Sequence, residues 1–260
     1  MTRTRPRWPW DGHIEGTRTV TFQPVKSPAD WEALTPLDPG QGMLGEQIRA
    51  LQLIGESARA QTPFLATVFS PLSMAKHLAG NEVMLSHMRQ YPDSFRRGLE
   101  TLTESVLRFI DAARGTGIAG IYYAVQHAAY PLLSRAEFES FGRPYDLRVL
   151  AGAGDLWCNM VHLHGSRVMF DMVADYPAAF LNWHDRDSAI SLAEGLSRTR
   201  SAASGGVSQW TIHRESPEAA LAEARDAREQ TSDRRLLLGT GCVIMTTTPL
   251  RNIRALRESV

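Results

Sequence analysis

The chain has 260 residues, of which 43% are hydrophobic and 22% charged, a composition typical of a globular protein with a sizeable core. Lys+Arg and Asp+Glu both number 28, so the formal net charge is zero, and neither a basic excess nor an aromatic–basic repeat indicates binding to nucleic acid. The two cysteines are too few for a disulfide framework, and the sequence shows neither a secretory h-region nor an apolar run of ~18 residues, so we expect a cytoplasmic protein that does not cross a membrane.

An imine mechanism is not expected, because it needs a lysine at the mouth of the site. Lys26 and Lys76 are the two lysines of the chain, and every other basic residue is arginine. Lys26 lies in an irregular stretch, and Lys76 lies in the middle of a predicted helix.

Residues 1–62 are predicted to form an irregular N-terminal segment with short helices, since prolines and glycines interrupt it repeatedly. A short capped helix is predicted at residues 27–31. A second helix is predicted over residues 44–59, where apolar residues recur at helical spacing. Residues 63–260 are predicted to form one barrel domain.

From residue 63 onward, short apolar strands alternate with helices. Strands are predicted over residues 64–69, 118–125, 156–163, 179–183, 201–204 and 236–240. Helices are predicted over residues 71–79, 82–90, 94–113, 134–153, 167–174, 188–199 and 216–230, with a last helix from residue 249. This alternation favours right-handed βαβ units and a parallel sheet buried on both faces.

Such a sheet can be an open doubly wound sheet or a closed eight-stranded barrel. No predicted strand is followed by GxGxxG or a P-loop, so we expect no nucleotide cofactor. The fold class is therefore predicted to be α/β, of the (β/α)8 TIM-barrel type, and incomplete, with about six of eight βα units present. Residues 1–60 would then pack across the gap or be loosely ordered.

In a barrel, the active site forms at the carboxyl ends of the strands. The third predicted strand ends with His162 and His164, whose side chains lie on one face because strand periodicity is two. The sixth ends at Cys242, beside two glycines. The two imidazoles are interpreted as ligands of one metal ion or as hydrogen-bonding groups, and Cys242 as a functional thiol or a buried core residue.

Other strand ends carry polar residues as well. Gln126 and His127 follow the second strand, and Asn182 and His184 end the fourth; all four are predicted to bind substrate. Cys158 is predicted to lie in the core. His77 and His87 are predicted to be surface or packing residues on helices, and His213 is predicted to lie in a loop beyond the fifth strand.

Six short motifs occur in a fixed order from about residue 62 to the end of the chain. They are Phe69-Ser70-Pro71, the run from Phe138 to Tyr145, His162-Leu163-His164-Gly165, Leu181-Asn182-Trp183, Gly205-Gly206, and Gly241-Cys242 followed by the run from Thr248 to Leu256. In these motifs the sequence resembles the uroporphyrinogen decarboxylase superfamily, whose fold is the (β/α)8 barrel. The superfamily includes tetrapyrrole decarboxylases and zinc-dependent methyltransferases that serve corrinoid proteins. Within these motifs Gly205 and Gly206 are predicted to bind substrate.

The resemblance implies two chemistries, and the sequence departs from both. The decarboxylase branch has an arginine-rich N-terminal segment and an early aspartate, which are not recognisable here, and we expect the chain to begin after them. That branch has other residues where this chain has His77, Ala128 and Cys242. The methyltransferase branch binds zinc through His-x-Cys and a distant Cys, and the corresponding residues here are His162, His164 and Cys242. A His₂Cys set with an open position is an accepted catalytic zinc site, and it makes the metal more Lewis acidic than a Cys-richer set.

The function expected from this resemblance is metal-assisted methyl transfer linked to a tetrapyrrole or corrinoid, with His162, His164 and Cys242 both catalytic and metal-binding. Uroporphyrinogen decarboxylation, in porphyrin biosynthesis, is the alternative. Two further alternatives are a metal-dependent hydrolase, which needs more ligands than these strand ends supply, and a truncated non-catalytic homologue. The expected partners are a tetrapyrrole or methyl-donor substrate and a corrinoid protein, with a homodimer as a candidate assembly.

Overall fold

The computed structural model describes residues 12–58 and 62–260. Six strands form a single sheet in chain order, and every neighbouring pair is parallel. The strands are β1 Leu65–Phe69, β2 Gly120–Val125, β3 Met160–Leu163, β4 Phe180–Trp183, β5 Ala202–Val207 and β6 Leu236–Thr240. The predicted α/β architecture of six βα units is confirmed. Residues 1–11, for which no secretory signal is predicted, lie outside the described residues.

Helices connect the strands and cover the outer face of the sheet. They are α1 Pro28–Glu32, α2 Gly42–Ala58, α3 Pro71–Ala79, α4 Asn81–Gln90, α5 Pro92–Arg114, α6 Arg135–Phe141, α7 Arg143–Gly152, α8 Leu192–Arg198, α9 Gln209–Arg214, α10 Pro217–Thr231 and α11 Leu250–Glu258. Among the described residues, no helix combines the length and the apolar character that crossing a membrane requires.

The outward-facing residues of the strands form the core with the helices. On β2, Ile121 and Tyr123 are fully buried, and on β4 Leu181 and Trp183 are fully buried. The Trp183 Nε1 donates a hydrogen bond to the Ile190 carbonyl at 2.8 Å. Burial of each such apolar side chain stabilises the fold by about 1.5–3 kcal/mol. Because successive side chains of a strand point to opposite faces, the residues between these apolar ones face the inside of the arc.

The sheet is an open arc, because β1 pairs only with β2 and β6 pairs only with β5 in the described chain. Phe69 on β1 and Leu237 on β6 are accordingly exposed. The N-terminal segment contacts the helix layer and the loop after β6: Trp31 of α1 packs edge-on against Phe95 of α5, and the Thr246 amide donates to the carbonyl of Ile14 at 2.8 Å. The domain division at residue 62 stays a prediction.

The third strand is shorter than predicted because the side chain of Asn159 occupies the positions of backbone hydrogen bonds. Asn159 Oδ1 accepts a hydrogen bond from the Ile121 amide at 3.0 Å, and its Nδ2 donates to the carbonyls of Ala153 and Leu156. The side chain thus takes the place of backbone ladder bonds, and β3 begins only at Met160 rather than at residue 156.

Two other local predictions need correction. The predicted helix at 167–174 is only a 3-10 turn, Phe170–Met172, since side chains of Arg143 and Thr199 bond the carbonyls of Met172 and Ala174. His213 lies in α9 and not in a loop, because Ser208 caps that helix by accepting a hydrogen bond from the Trp210 amide.

A buried carboxyl connects β2 to the helix layer. Asp146 of α7 accepts hydrogen bonds from the hydroxyls of Tyr123 and Tyr176, at 2.6 Å and 2.9 Å. Burial raises the pKa of Asp146 from its ordinary 3.8 to about 7, although the two hydroxyls oppose the shift. The folded protein therefore holds this proton more tightly than the unfolded chain does.

Because the pKa is raised on folding, the contribution of Asp146 to stability is lost as the pH rises from 3.8 towards 7. Between about pH 5 and pH 7, we expect the free energy of unfolding to fall more steeply in the wild type than in Asp146→Asn, by up to about 1.4 kcal/mol per pH unit. Urea titrations at several pH values measure the difference. Asp155→Asn, at a surface aspartate whose pKa is lowered, should keep the wild-type slope; equal slopes in Asp146→Asn would contradict this account.

Candidate metal centre and cavity

The carboxyl ends of the strands place polar side chains in one layer inside the arc. The parallel register aligns Ala124 with His162, His162 with Asn182, and Asn182 with Ser204. His164 follows on the same face as His162, two residues further along. The sheet therefore brings histidine, amide and hydroxyl groups from β2 to β5 into contact with one another.

Asn182 determines which ring nitrogen of His162 carries the proton. The Asn182 Nδ2 donates to the carbonyls of Ser204 and Thr240, at 2.8 Å and 3.0 Å, so its Oδ1 must face the opposite direction. That oxygen lies 2.6 Å from His162 Nδ1 and can only accept, so Nδ1 carries the proton. His162 Nε2 then presents its lone pair to the interior, as a metal ligand must.

Cys242 reaches the same point from the loop after β6. Gly241 is needed there, because a Cβ atom at this position would lie 2.8 Å from the Trp183 carbonyl. The Cys242 Sγ lies 3.7 Å from His162 Nε2 and 3.7 Å from His164 Nδ1. The three residues predicted as a metal site are thus brought together.

A fourth donor joins them from the end of β4. Ligand atoms of His162, His164, His184 and Cys242 all lie within 4.8 Å of one another. His184 is 9% exposed, and its Nε2 is buried with no hydrogen-bond partner in the described structure. We call these four residues the donor cluster. An unsatisfied buried nitrogen at this position is what a ligand of a bound cation would show.

Burial sets the charge states of the donor cluster. It lowers the pKa of His162 to about 3 and that of His184 to about 4, and it also lowers the pKa of His164. Burial raises the pKa of the Cys242 thiol to about 11, and the carboxylates of Glu15 and Asp187 add to the shift. Near neutral pH the cluster therefore offers three neutral imidazoles and one protonated thiol.

A cavity of roughly 520 Å³ opens in front of the cluster. Its walls are neutral apart from the Glu15 carboxylate, within the part of the chain that the structure describes. The lining residues are Glu15, Thr17, Thr67, Phe69, Tyr122, Ala124, Gln126, Met160, His162, His164, Asn182, Ser204, Thr240, Cys242, Val243 and Ile244. A larger cavity, roughly 660 Å³, lies between residues 174–178 and 197–201, before β4 and β5 and away from the donors.

The other residues predicted to bind substrate have different surroundings. Gln126 lines the cavity, and its Oε1 is buried without a partner among the described residues. His127 is buried behind the rim, with its Nδ1 3.5 Å from Ser73 Oγ. Gly205 and Gly206 allow close packing: a Cβ on Gly205 would lie 2.5 Å from Asp185, and one on Gly206 would lie 2.6 Å from Ala227.

Two features of the site were not predicted from the sequence: His184 as a member of the donor cluster and Glu15 on the cavity wall. The strand-end rule did select His184, but as a substrate-binding residue. For Glu15 the sequence offers no periodicity or motif.

Comparison with known proteins places the chain in a family. A family model described as uroporphyrinogen decarboxylase (URO-D) matches residues 13–260. The match begins well before residue 62, where the resemblance in the motifs started. Two curated relatives are each 25% identical to the chain, a uroporphyrinogen decarboxylase of Syntrophotalea carbinolica over 162 residues and one of Mycolicibacterium paratuberculosis over 156 residues. These stretches cover 60% and 57% of this chain and 46% and 42% of the relatives, so the chain spans about half the length of the curated relatives it matches.

Solved structures share the fold. A methyltransferase from Methanosarcina mazei superposes with a TM-score of 0.83 at 22% identity, covering 94% of this chain and 71% of that one. A B12-independent methionine synthase from Shewanella sp. W3-18-1, in complex with selenomethionine, gives a TM-score of 0.56 at 13% identity, covering 82% and 64%. At these identities the likeness is one of fold.

Removal of the Asn182 amide should weaken metal binding. In Asn182→Ala the proton of His162 can move to Nε2, and loss of such a supporting group typically costs about 10–100-fold in metal affinity. Chelator competition with Zn²⁺ measures the change. Tyr122→Phe is the matched control: it removes a different hydrogen bond to the same oxygen, 3.2 Å long, and should change the affinity by less than about threefold. Equal affinities in Asn182→Ala and the wild type would contradict the role of Asn182.

The affinity for Zn²⁺ should rise with pH. The histidines are already neutral, so the one proton displaced on binding comes from the Cys242 thiol, whose pKa is about 11. Between about pH 6.5 and pH 8.5 the affinity should increase about tenfold per pH unit, after correction for the chelator, and calorimetry in buffers of different ionisation enthalpy should count one released proton. A flat profile would show that Cys242 does not bind the metal as a thiolate.

Proposed function

Because the chain belongs to the uroporphyrinogen decarboxylase (URO-D) family, we propose that it is a zinc-dependent enzyme that transfers a methyl group to a thiol. The donor cluster carries the proposal: His162, His164, His184 and Cys242 hold their ligand atoms within 4.8 Å of one another at the carboxyl ends of the strands. The proposed donor is a corrinoid-bound methyl group carried by a partner protein, as the resemblance implies.

The donor cluster fits zinc in its chemistry. Imidazole nitrogen and thiolate sulfur are the ligands that zinc prefers, and His162 has the supporting hydrogen bond that orients zinc-bound histidines. When bound, zinc supplies Lewis acidity that keeps a coordinated thiol deprotonated near neutral pH. His162, His164 and Cys242 are the proposed principal ligands, and His184 is proposed as the fourth ligand when no substrate is bound, at the position that a substrate thiol would take.

The rest of the site is suited to orienting a substrate. Asn182 holds His162 in one tautomer, and the Tyr122 ring stacks on His162 with a centroid distance of 5.5 Å. Met160, Val243 and Phe69 supply apolar walls to the cavity. A small thiol can therefore bury its carbon chain against these walls while its sulfur faces the donor cluster.

Tetrapyrrole decarboxylation is the second candidate, and it is favoured by the two curated relatives, both uroporphyrinogen decarboxylases. The cavity itself favours methyl transfer to a thiol. Uroporphyrinogen carries carboxylate side chains on every pyrrole ring, and the charged group of the described lining is another carboxylate, Glu15. Like charges in a partly desolvated site repel, so this wall disfavours a polycarboxylate. A non-catalytic homologue is the third candidate, on account of the open sheet.

The test offers the protein two sets of substrates. With Zn²⁺, methylcobalamin and mercaptoethanol, we expect a methyl thioether and demethylated cobalamin; with uroporphyrinogen, we expect no coproporphyrinogen at an enzymic rate. Cys242→Ser should lower the rate of methyl transfer at least about 100-fold, since loss of a ligand exceeds loss of a supporting group. Cys158→Ser is the control: Cys158 precedes β3 at the other end of the strand, and its variant should keep the activity.

Coproporphyrinogen formed at an enzymic rate would contradict the proposal and favour decarboxylation. Activity in neither assay, with Zn²⁺ bound and the protein folded, would favour the non-catalytic homologue.

A further inference from the structure

A carboxylate from the N-terminal segment is built into the wall of the cavity. Glu15 lies in a tight turn in which the Gly16 amide donates to the His13 carbonyl at 2.8 Å, and Gly16 has the left-handed φ of 73°. The turn is anchored beside the donor cluster, because the amide and the hydroxyl of Thr246 both donate to the Ile14 carbonyl. Thr246 belongs to the same loop as Cys242, so the position of Glu15 is tied to that of the thiol.

Glu15 lines the cavity, and its carboxylate forms no ion pair with another residue of ranges 12–58 and 62–260. No hydrogen bond or ion pair from the residues of the described chain satisfies its carboxylate, and its negative charge acts on both His164 and Cys242. It is not a member of the donor cluster. Glu15 therefore lines the space that a substrate would occupy and lies outside the proposed metal position.

The charges of the site decide what this space accepts. Three neutral imidazoles, one thiolate and a divalent zinc ion sum to one positive charge, and a coordinated substrate thiolate would cancel it. Among the described residues that line the cavity, the carboxylate of Glu15 would then be the charge that remains next to the substrate. A carboxylate in a partly desolvated site attracts a cationic group through charge-assisted hydrogen bonds and repels an anionic one.

We propose that Glu15 binds the cationic group of the thiol substrate, so that the methyl acceptor is an aminothiol. This inference rests on the proposed function. Phe69 supports it, because it lines the same cavity with 37% of the residue exposed, and an aromatic ring there can contact an ammonium group. Glu15 acts here as a specificity-determining residue.

A positive charge on α3 acts on the same site as Glu15. Lys76 lies on α3, one helical turn after Ser73, and its charge acts on His127 and His164. It lies outside the lining of the cavity, in contrast to Glu15. If the positive charge of Lys76 had the larger effect on the bound thiol, the cavity would prefer an anionic thiol. If the negative charge of Glu15 had the larger effect, it would prefer a cationic one.

Three thiols of similar size separate these outcomes: cysteamine, mercaptoethanol and mercaptopropionate, which are cationic, neutral and anionic. Their affinities are measured calorimetrically for the wild type and Glu15→Gln, each with and without Zn²⁺. For each thiol, the affinity of the wild type is compared with that of Glu15→Gln, so differences in acidity between the thiols do not affect the result. Glu56→Gln, on the exposed surface of α2, is the matched control and should behave as the wild type.

In Glu15→Gln we expect cysteamine to bind about tenfold more weakly, mercaptoethanol to change by less than about twofold, and mercaptopropionate to bind several-fold more tightly. The same change for all three thiols, or a preference of the wild type for mercaptopropionate, would overturn the inference. Failure of the wild type to bind Zn²⁺ would instead contradict the proposed function, and the order of thiol affinities without metal would still decide the role of Glu15.

Discussion

The side-chain amide of Asn182 is the interaction on which the site depends. Its nitrogen donates to carbonyls on β5 and β6, and its oxygen accepts from His162 on β3 and from the Tyr122 hydroxyl on β2. Because Asn182 itself lies on β4, one amide connects five of the six strands. This arrangement exists only in a parallel sheet whose register aligns His162, Asn182 and Ser204. The same bonds that hold the strand ends together also direct the lone pair of His162 into the interior.

Most of the fold could be predicted because it follows from periodic burial. Strands buried on both faces are short apolar runs, and alternation with helices implies parallel order. The prediction failed where single side chains replaced backbone bonds. Asn159 takes over ladder positions at the start of β3, and Gly205 and Gly206 let β5 continue past residue 204 where any other side chain would collide with Asp185 or Ala227. Such effects depend on tertiary neighbours, which a local pattern does not encode.

The site was predictable to the extent that it lies on strands. His162 and His164 share a face through strand periodicity, and Cys242 follows from the rule that barrel sites form at the carboxyl ends of strands. The position of His184 in the donor cluster depends on how the chain turns after β4, which periodicity does not describe. Glu15 depends on a contact between Ile14 and Thr246, 232 positions apart in the chain, and no short-range signal precedes such a contact.

The sheet holds buried, neutral imidazoles and a buried thiol close together, and we propose that they bind one zinc ion. Zinc X-ray absorption of the purified protein tests this claim most directly, since it counts the ligands by element. We predict one zinc per chain with one sulfur at ~2.3 Å and about three nitrogen ligands at ~2.0–2.1 Å, the sulfur being absent in Cys242→Ser. A spectrum without a sulfur ligand, or protein that retains no stoichiometric zinc, would contradict it.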